Sequence, residues 1–217
     1  MQIEMIQVYC AYMPSKNVVK QYTEQSYYHV YNRGVEKREV FVDNQDYAVF
    51  LNLLKRYLSP EEHKDDRGNV YESYSGRVEF LAFCLMPNHF HMLFYLKSDP
   101  KALAKMMQKV TSTYTTYFNK RYARVGHLFQ GVYKASHILE DSYLLHISRY
   151  IHLNPRLYKT WEFSSLPYYI NGWQSDWVKP KRILELFDNT GNYKSFMEDY
   201  EDHKRQLESI KSSLANI

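Results

Sequence analysis

The sequence predicts an α+β fold in which helices pack on a central antiparallel sheet, and three features carry that expectation. The run Val78 to Met86 is apolar and of strand length, and a second such run, His89 to Lys97, follows after only Pro87-Asn88. Proline presets the backbone angle at the second position of a type I turn and asparagine suits the third, so the two runs fold back on each other as antiparallel neighbours. Downstream, Leu103, Met106, Met107, Val110, Tyr114, Tyr117 and Phe118 recur at three- and four-residue steps. That spacing is the apolar face of a helix, and the face packs on the sheet.

The remaining elements follow along the chain. Residues 1–25 carry little periodic pattern and read as a leader or an irregular strand. The segment Tyr27-Tyr28-His29-Val30-Tyr31-Asn32 is β-prone and ends at Gly34. Asp43 then caps a helix that carries Tyr47, Phe50, Leu51, Leu54 and Tyr57 at helical spacing. Glu61 to Gly76 is polar and glycine-containing, a loop or ragged hairpin tip. Ser98-Asp99-Pro100 opens the long helix, with a capping side chain ahead of a proline in the first turn. From Arg121 to His137 the chain becomes basic, aromatic and punctuated by Gly126 and Gly131, a substrate-facing loop or a short strand. Asp141 caps a further helix with Leu144, Ile147 and Ile151 on its apolar face, and Pro155 ends it at Asn154. After a soft boundary near residue 171, residues 171–217 read as a charged, helical C-terminal extension.

Composition bounds the function. A chain of 217 residues with 45% hydrophobic and 17% aromatic content holds one domain plus an appendage and is far from the signature of disorder. A net charge of +4 and a pI near 8.8 are only mildly basic. The distribution says more: between Lys101 and Arg156 the acids are Glu140 and Asp141 alone, so the middle of the chain is the part that faces a polyanion. Cys10 and Cys84 are too far apart to form a metal knuckle or redox pair, which fits a reducing cytoplasm. There is no signal-peptide pattern and no apolar window long enough for a membrane span, so the expectation is a cytoplasmic protein without membrane contact.

Two groups of residues suggest chemistry. His89 and His91 lie two apart on a strand, so both imidazoles emerge on one sheet face while Phe90, Met92 and Phe94 point the other way. Such a pair suits joint metal binding, although two histidines alone also occur as satisfied core residues. Tyr150 and Asn154 are four apart on a helix and share a face, which places a phenol beside an amide oxygen. Tyr114 and Tyr117 are rival nucleophiles, but their spacing with Val110 and Phe118 makes them part of a core stripe. No HExxH or third strong ligand at useful spacing supports a zinc hydrolase.

The joint pattern of LMPNHFHMLF and SRYIHLNP resembles the REP-associated and insertion-sequence-200-like single-tyrosine transposases of the HUH endonuclease superfamily. The likeness extends to YHVYNRG at residue 28, GHLFQGVYKA at residues 126–135 and WEFSSLPYY after residue 161, and so spans residues 26–170. The resemblance implies a ferredoxin-like HUH fold whose sheet displays His89 and His91 as metal ligands, with Asn154 completing the shell and Tyr150 as nucleophile. It further implies a divalent cation, Mg²⁺ or Mn²⁺, and transesterification of single-stranded DNA through a 5′-phosphotyrosine, with palindromic hairpins as the expected DNA form.

Arg121, Arg124, His127, Lys134 and His137, interleaved with Tyr122, Phe129 and Tyr133, read as a DNA-binding groove that combines phosphate contacts with stacking. Arg33, Lys37 and Arg38 form a second basic patch. A catalytically silent relative that only recognises repeated palindromes is the alternative, and monomer or homodimer stays open.

Overall fold

The computed structural model describes residues 21–187 and 190–199. The leader reading of residues 1–25 therefore falls mostly outside the described residues, as does the end of the charged C-terminal segment. The elements are β1 (Ser26–Arg33), α1 (Asn44–Leu58), β2 (Val78–Met86), β3 (His89–Leu96), α2 (Ala102–Arg121), β4 (Lys134–Ile138), α3 (Asp141–Leu153), α4 (Leu166–Ile170), α5 (Lys181–Leu184) and α6 (Thr190–Glu198). The sheet order is β2-β3-β1-β4 with every neighbouring pair antiparallel. Helices connect β1 to β2 and β3 to β4, so this is the ferredoxin-like arrangement of an α+β protein.

Each face of the sheet buries its own layer. Tyr28 and Val30 of β1 and Phe90, Met92 and Phe94 of β3 point to α1 and α2, where they meet Phe50, Leu54, Met107 and Tyr114. The opposite face presents Tyr31, Cys84 and Leu93 to Leu144, Ile147, Tyr150 and Ile151 of α3. Burial on both faces explains why β2 reads as an unbroken apolar run. A register shift between Phe80 and Ala82 changes its alternation: Phe80 and Phe83 both join the α1/α2 layer, while Leu81, Ala82 and Cys84 join the other.

The free edge of β2 is covered. Leu85 N–H donates to Phe163 O and Ser165 N–H to Phe83 O, both at 2.9 Å, and Trp161 Nε1–H donates to Leu85 O. The WEFSSLPYY motif is thus a strap along an otherwise exposed edge. Lys179 N–H donates to Phe80 O further along, and Val178, Ile183, Tyr193 and Met197 are buried, so the residues after 171 contribute to the packing on the sheet.

The YHVYNRG and PNH motifs meet at one end. Gly34 N–H donates to Asn88 O, and Val40 and Phe41 N–H both donate to Pro87 O, so the chain after β1 wraps the β2–β3 turn. A Cβ on Gly34 would collide with Arg38 O and Val40 Cγ1, which accounts for the glycine.

Two helix starts differ from expectation. Pro100 lies ahead of α2, whose cap position is Lys101; Asp99 adopts φ +58° and its carboxylate accepts from Lys101 N–H. Asp141 is the first residue of α3 and not its cap, which is Glu140, whose side chain makes no capping bond to the first turn. The Asp141 carboxylate still lies where the helix dipole favours it. Asp43 caps α1 as expected, accepting from Gln45 and Asp46 N–H. The basic stretch after Arg121 resolves into a loop and the short strand β4. Among the described residues, no helix is long and apolar enough to cross a membrane.

Candidate active site

The sheet register assembles the site. His89 lies opposite Met86 and Arg33, and His91 opposite Cys84 and Tyr31, with Lys134 of β4 next in that row. Directly opposite residues of antiparallel strands share a face, so His89, His91, Arg33, Tyr31 and Lys134 all face α3. The helix places Tyr150 and Asn154 over the pair. The Tyr150 hydroxyl lies 3.4 Å from His91 Nε2, and Asn154 Oδ1 lies 3.2 Å from His89 Nε2. The histidine rings are 5.1 Å apart between centroids, and Tyr150 meets His91 edge-on at the same separation. The structure therefore brings His89, His91, Tyr150 and Asn154 together.

Burial keeps these imidazoles neutral. It lowers His89 to a pKa of about 4, opposed by Asn154 Oδ1, which would accept from the protonated ring, and helped by the nearby Arg33 cation, and it holds His91 well below the usual value. Neutral imidazole is the form that binds a metal. Asn88 fixes which nitrogen of His89 is free: its amide N–H donates to Lys37 O, so its Oδ1 accepts from His89 Nδ1–H at 2.6 Å. The lone pair of His89 Nε2 then faces the carbonyl lone pairs of Asn154, two acceptors 3.2 Å apart. A cation between them resolves that repulsion, so the residues fit a divalent ion held by two imidazoles and one amide oxygen. Among the described residues, no group of three or more His, Cys, Asp or Glu could hold a metal. The set here is histidine and asparagine.

Burial also pushes the Tyr150 phenol up to a pKa of about 12, with a hydrogen bond from Asn154 acting in the opposite direction. The rival tyrosines lie on the other side of the sheet. Tyr114 is fully buried in the α1/α2 layer and donates to Val40 O, and Tyr117 donates to Asp46 Oδ1. Neither reaches the histidines.

The five sequence-nominated DNA contacts do not form one groove. Lys134 is on the site face beside Tyr31. His137 pairs with Tyr28 and stacks on it, facing the α1/α2 side at the sheet edge. Arg124 lies over Phe118 and donates to Asn119, and His127 is exposed in the loop. Arg121 is committed elsewhere: it pairs with Asp43 at 2.5 Å and with Asp46 at 2.7 Å. Asp46 is fully buried and also accepts from Tyr117, Tyr122 and Val42 N–H. Arg121→Ala leaves that carboxylate without its cation. The variant is expected to melt at a lower temperature than Arg124→Ala, as measured by circular dichroism.

Three contributors escaped the sequence reading. His29, fully buried on β1, places Nε2 3.0 Å from His91 Nδ1. Its signal was the alternation of His29 and Tyr31 on one face of a strand. Arg33, named only as part of a basic patch, stands beside His89. His152, two residues beyond Tyr150, lies 2.7 Å from both Tyr193 Oη and Ser165 Oγ and so fixes α3 to α6 and to the β2 strap.

Burial lowers His29 and His152 to pKa values of about 3, against about 6.5 in the unfolded chain. The fold binds fewer protons than the unfolded chain between those values, so the stability they contribute is full above pH 6.5 and is lost as pH falls toward 3. Each is expected to contribute about 2 kcal/mol less at pH 5 than at pH 7. Urea unfolding at the two pH values checks this.

Fold and site together define a sheet-borne histidine pair facing a helix-borne tyrosine. The family described as "Transposase IS200 like" matches residues 22–154, a span that contains all four central side chains. The chain belongs to that family and is a DNA transposase by membership. Its fold is similar to that of a solved REP-associated tyrosine transposase bound to a REP hairpin, with TM-score 0.53 and 13% identity over 76% of this chain and 92% of the other. A protein from Deinococcus radiodurans R1, provisionally assigned as a transposase, matches at TM-score 0.37 and 14% identity over 63% of this chain and 93% of the other, too low to argue from. No curated protein matches the sequence.

Proposed function

We propose that this transposase nicks and rejoins single-stranded, hairpin-bearing DNA by metal-dependent transesterification through a 5′-phosphotyrosine at Tyr150. The observation that carries this reading is the Tyr150 hydroxyl 3.4 Å from His91 Nε2, beside His89 Nε2 and Asn154 Oδ1 converging at 3.2 Å. A hairpin accompanies the similar solved transposase, which makes a hairpin-bearing strand the substrate to try first.

His89, His91 and Asn154 would hold the Mg²⁺ or Mn²⁺ ion. When bound, such a cation polarises a phosphate oxygen and helps align the phosphorus for in-line attack. The protein's own groups do the rest. Tyr150 attacks the phosphorus: a phenolic O–P bond forms, the P–O3′ bond breaks, and the phenol's proton ends on the departing 3′ oxygen. Arg33 and Lys134, which flank the pair on the same face, offer positive charge to the phosphate. Because the phosphodiester energy is kept in the tyrosine link, another strand's 3′-hydroxyl can reverse the step without ATP.

A labelled single strand carrying a hairpin, incubated with the protein and Mn²⁺, tests this. The expected products are an SDS-stable protein–DNA adduct and a fragment ending in a 3′-hydroxyl, both abolished by EDTA, with rejoining when an acceptor strand is added. Hairpin binding with no cleavage at any metal concentration would leave the silent DNA-binding protein as the better reading.

A further inference from the structure

His29 has surroundings that the cleavage reaction does not yet use. It has no solvent exposure, its ring stacks on that of His91 at 5.1 Å, and its Nε2 is 3.0 Å from His91 Nδ1. One proton is shared across that contact, and the side on which it resides decides the form of His91. If His91 Nδ1 carries it and donates to His29, His91 Nε2 keeps a lone pair for a cation. If His29 Nε2 carries it, the single proton of neutral His91 sits on its own Nε2, aimed at the Tyr150 hydroxyl, and no cation binds there. For His29 to accept, its own proton must lie on Nδ1. That atom is buried with no hydrogen-bond partner among the described residues: no donor holds His29 in the opposite form, and the unpaired N–H that this form leaves is a cost that cation binding at His91 Nε2 offsets.

We propose that His29 is a positioning residue that keeps His91 protonated at Nδ1 and thereby leaves His91 Nε2 free to bind a divalent cation. This rests on the metal-dependent reading above. It also gives the two metal-binding histidines matching supports, since Asn88 fixes the His89 tautomer as His29 fixes that of His91.

The test is Mn²⁺ binding to the full chain, without DNA, by titration calorimetry or by electron paramagnetic resonance of the free ion. Wild type is compared with His29→Gln, whose carbonyl can accept from His91 Nδ1–H, and with His29→Leu, which cannot. His29→Leu is expected to bind Mn²⁺ about 10- to 100-fold more weakly, the usual loss when a histidine ligand loses its supporting partner, and His29→Gln to stay close to wild type. Equal affinity in all three proteins, or equal loss in both folded variants, would overturn the role. Should His29→Leu not fold, ¹⁵N-edited spectra of the metal-free wild type decide: a proton on His91 Nδ1 supports the proposal, and a proton on Nε2 defeats it. A wild type with no saturable Mn²⁺ binding would instead remove the metal reading itself, a different result from binding that ignores His29.

Discussion

Tyr150→Phe is expected to abolish the covalent DNA adduct and to lower strand cleavage by at least about a thousandfold, the scale on which removal of a catalytic nucleophile acts. The substitution deletes one oxygen. The ring keeps its edge-on packing against His91 and His29, and the bond lost is the long one to His91 Nε2 together with the Asn154 interaction that lowers the phenol's pKa. Stability should therefore change by about 1 kcal/mol or less. Tyr114→Phe supplies the contrast, because its hydroxyl is bound to Val40 O on the far side of the sheet. That variant should lose about 1 kcal/mol of stability and still form the adduct. Gel electrophoresis in SDS after incubation with the labelled hairpin, alongside urea unfolding, separates the two effects.

His89→Ala is expected to have the second largest effect, a loss of about 100- to 1000-fold in Mn²⁺-dependent cleavage, the range seen when one group that stabilises developing charge is removed. His89 is the better choice of the pair for this test. It is partly exposed, whereas His91 is 2% exposed and holds His29 in place, so deleting His91 would also disturb the core. The cleavage rate of His89→Ala should need far more Mn²⁺ to saturate, while affinity for the hairpin without metal should stay close to that of wild type. Cleavage titrated against Mn²⁺ reads the first effect and a binding curve in EDTA the second. Cleavage by His89→Ala with unchanged metal dependence would place the cation elsewhere.

Much of this site was legible because its signals are local. The Pro87-Asn88 turn fixes the hairpin, the period of two places His89 and His91 on one face, and the helical period does the same for Tyr150 and Asn154. What escaped depends on partners distant in sequence. His29 acquires meaning only through the register that sets Tyr31 opposite His91, which leaves His29 within reach of the same ring. Arg121 reads as an available cation, yet its carboxylates arrive from the start of α1. The register shift in β2 is hidden for a related reason: every residue from Phe80 to Leu85 is apolar, so alternation cannot tell which two neighbours share a face. The strap over β2 was visible as a motif but not as a strand-like contact, since its bonds run from Ser165 and Leu85 backbone atoms to positions about 80 residues apart in sequence.

The measurement that bears most directly on the mechanism is mass spectrometry of the trapped adduct after nuclease and trypsin digestion. Cleavage after Arg149 and Arg156 releases Tyr150 in its own short peptide, while Tyr114 and Tyr117 travel together in the peptide from Val110 to Lys120. The mechanism predicts a residual nucleotide on the peptide that begins with Tyr150. A nucleotide on the Val110 to Lys120 peptide, with none on the other, would contradict it.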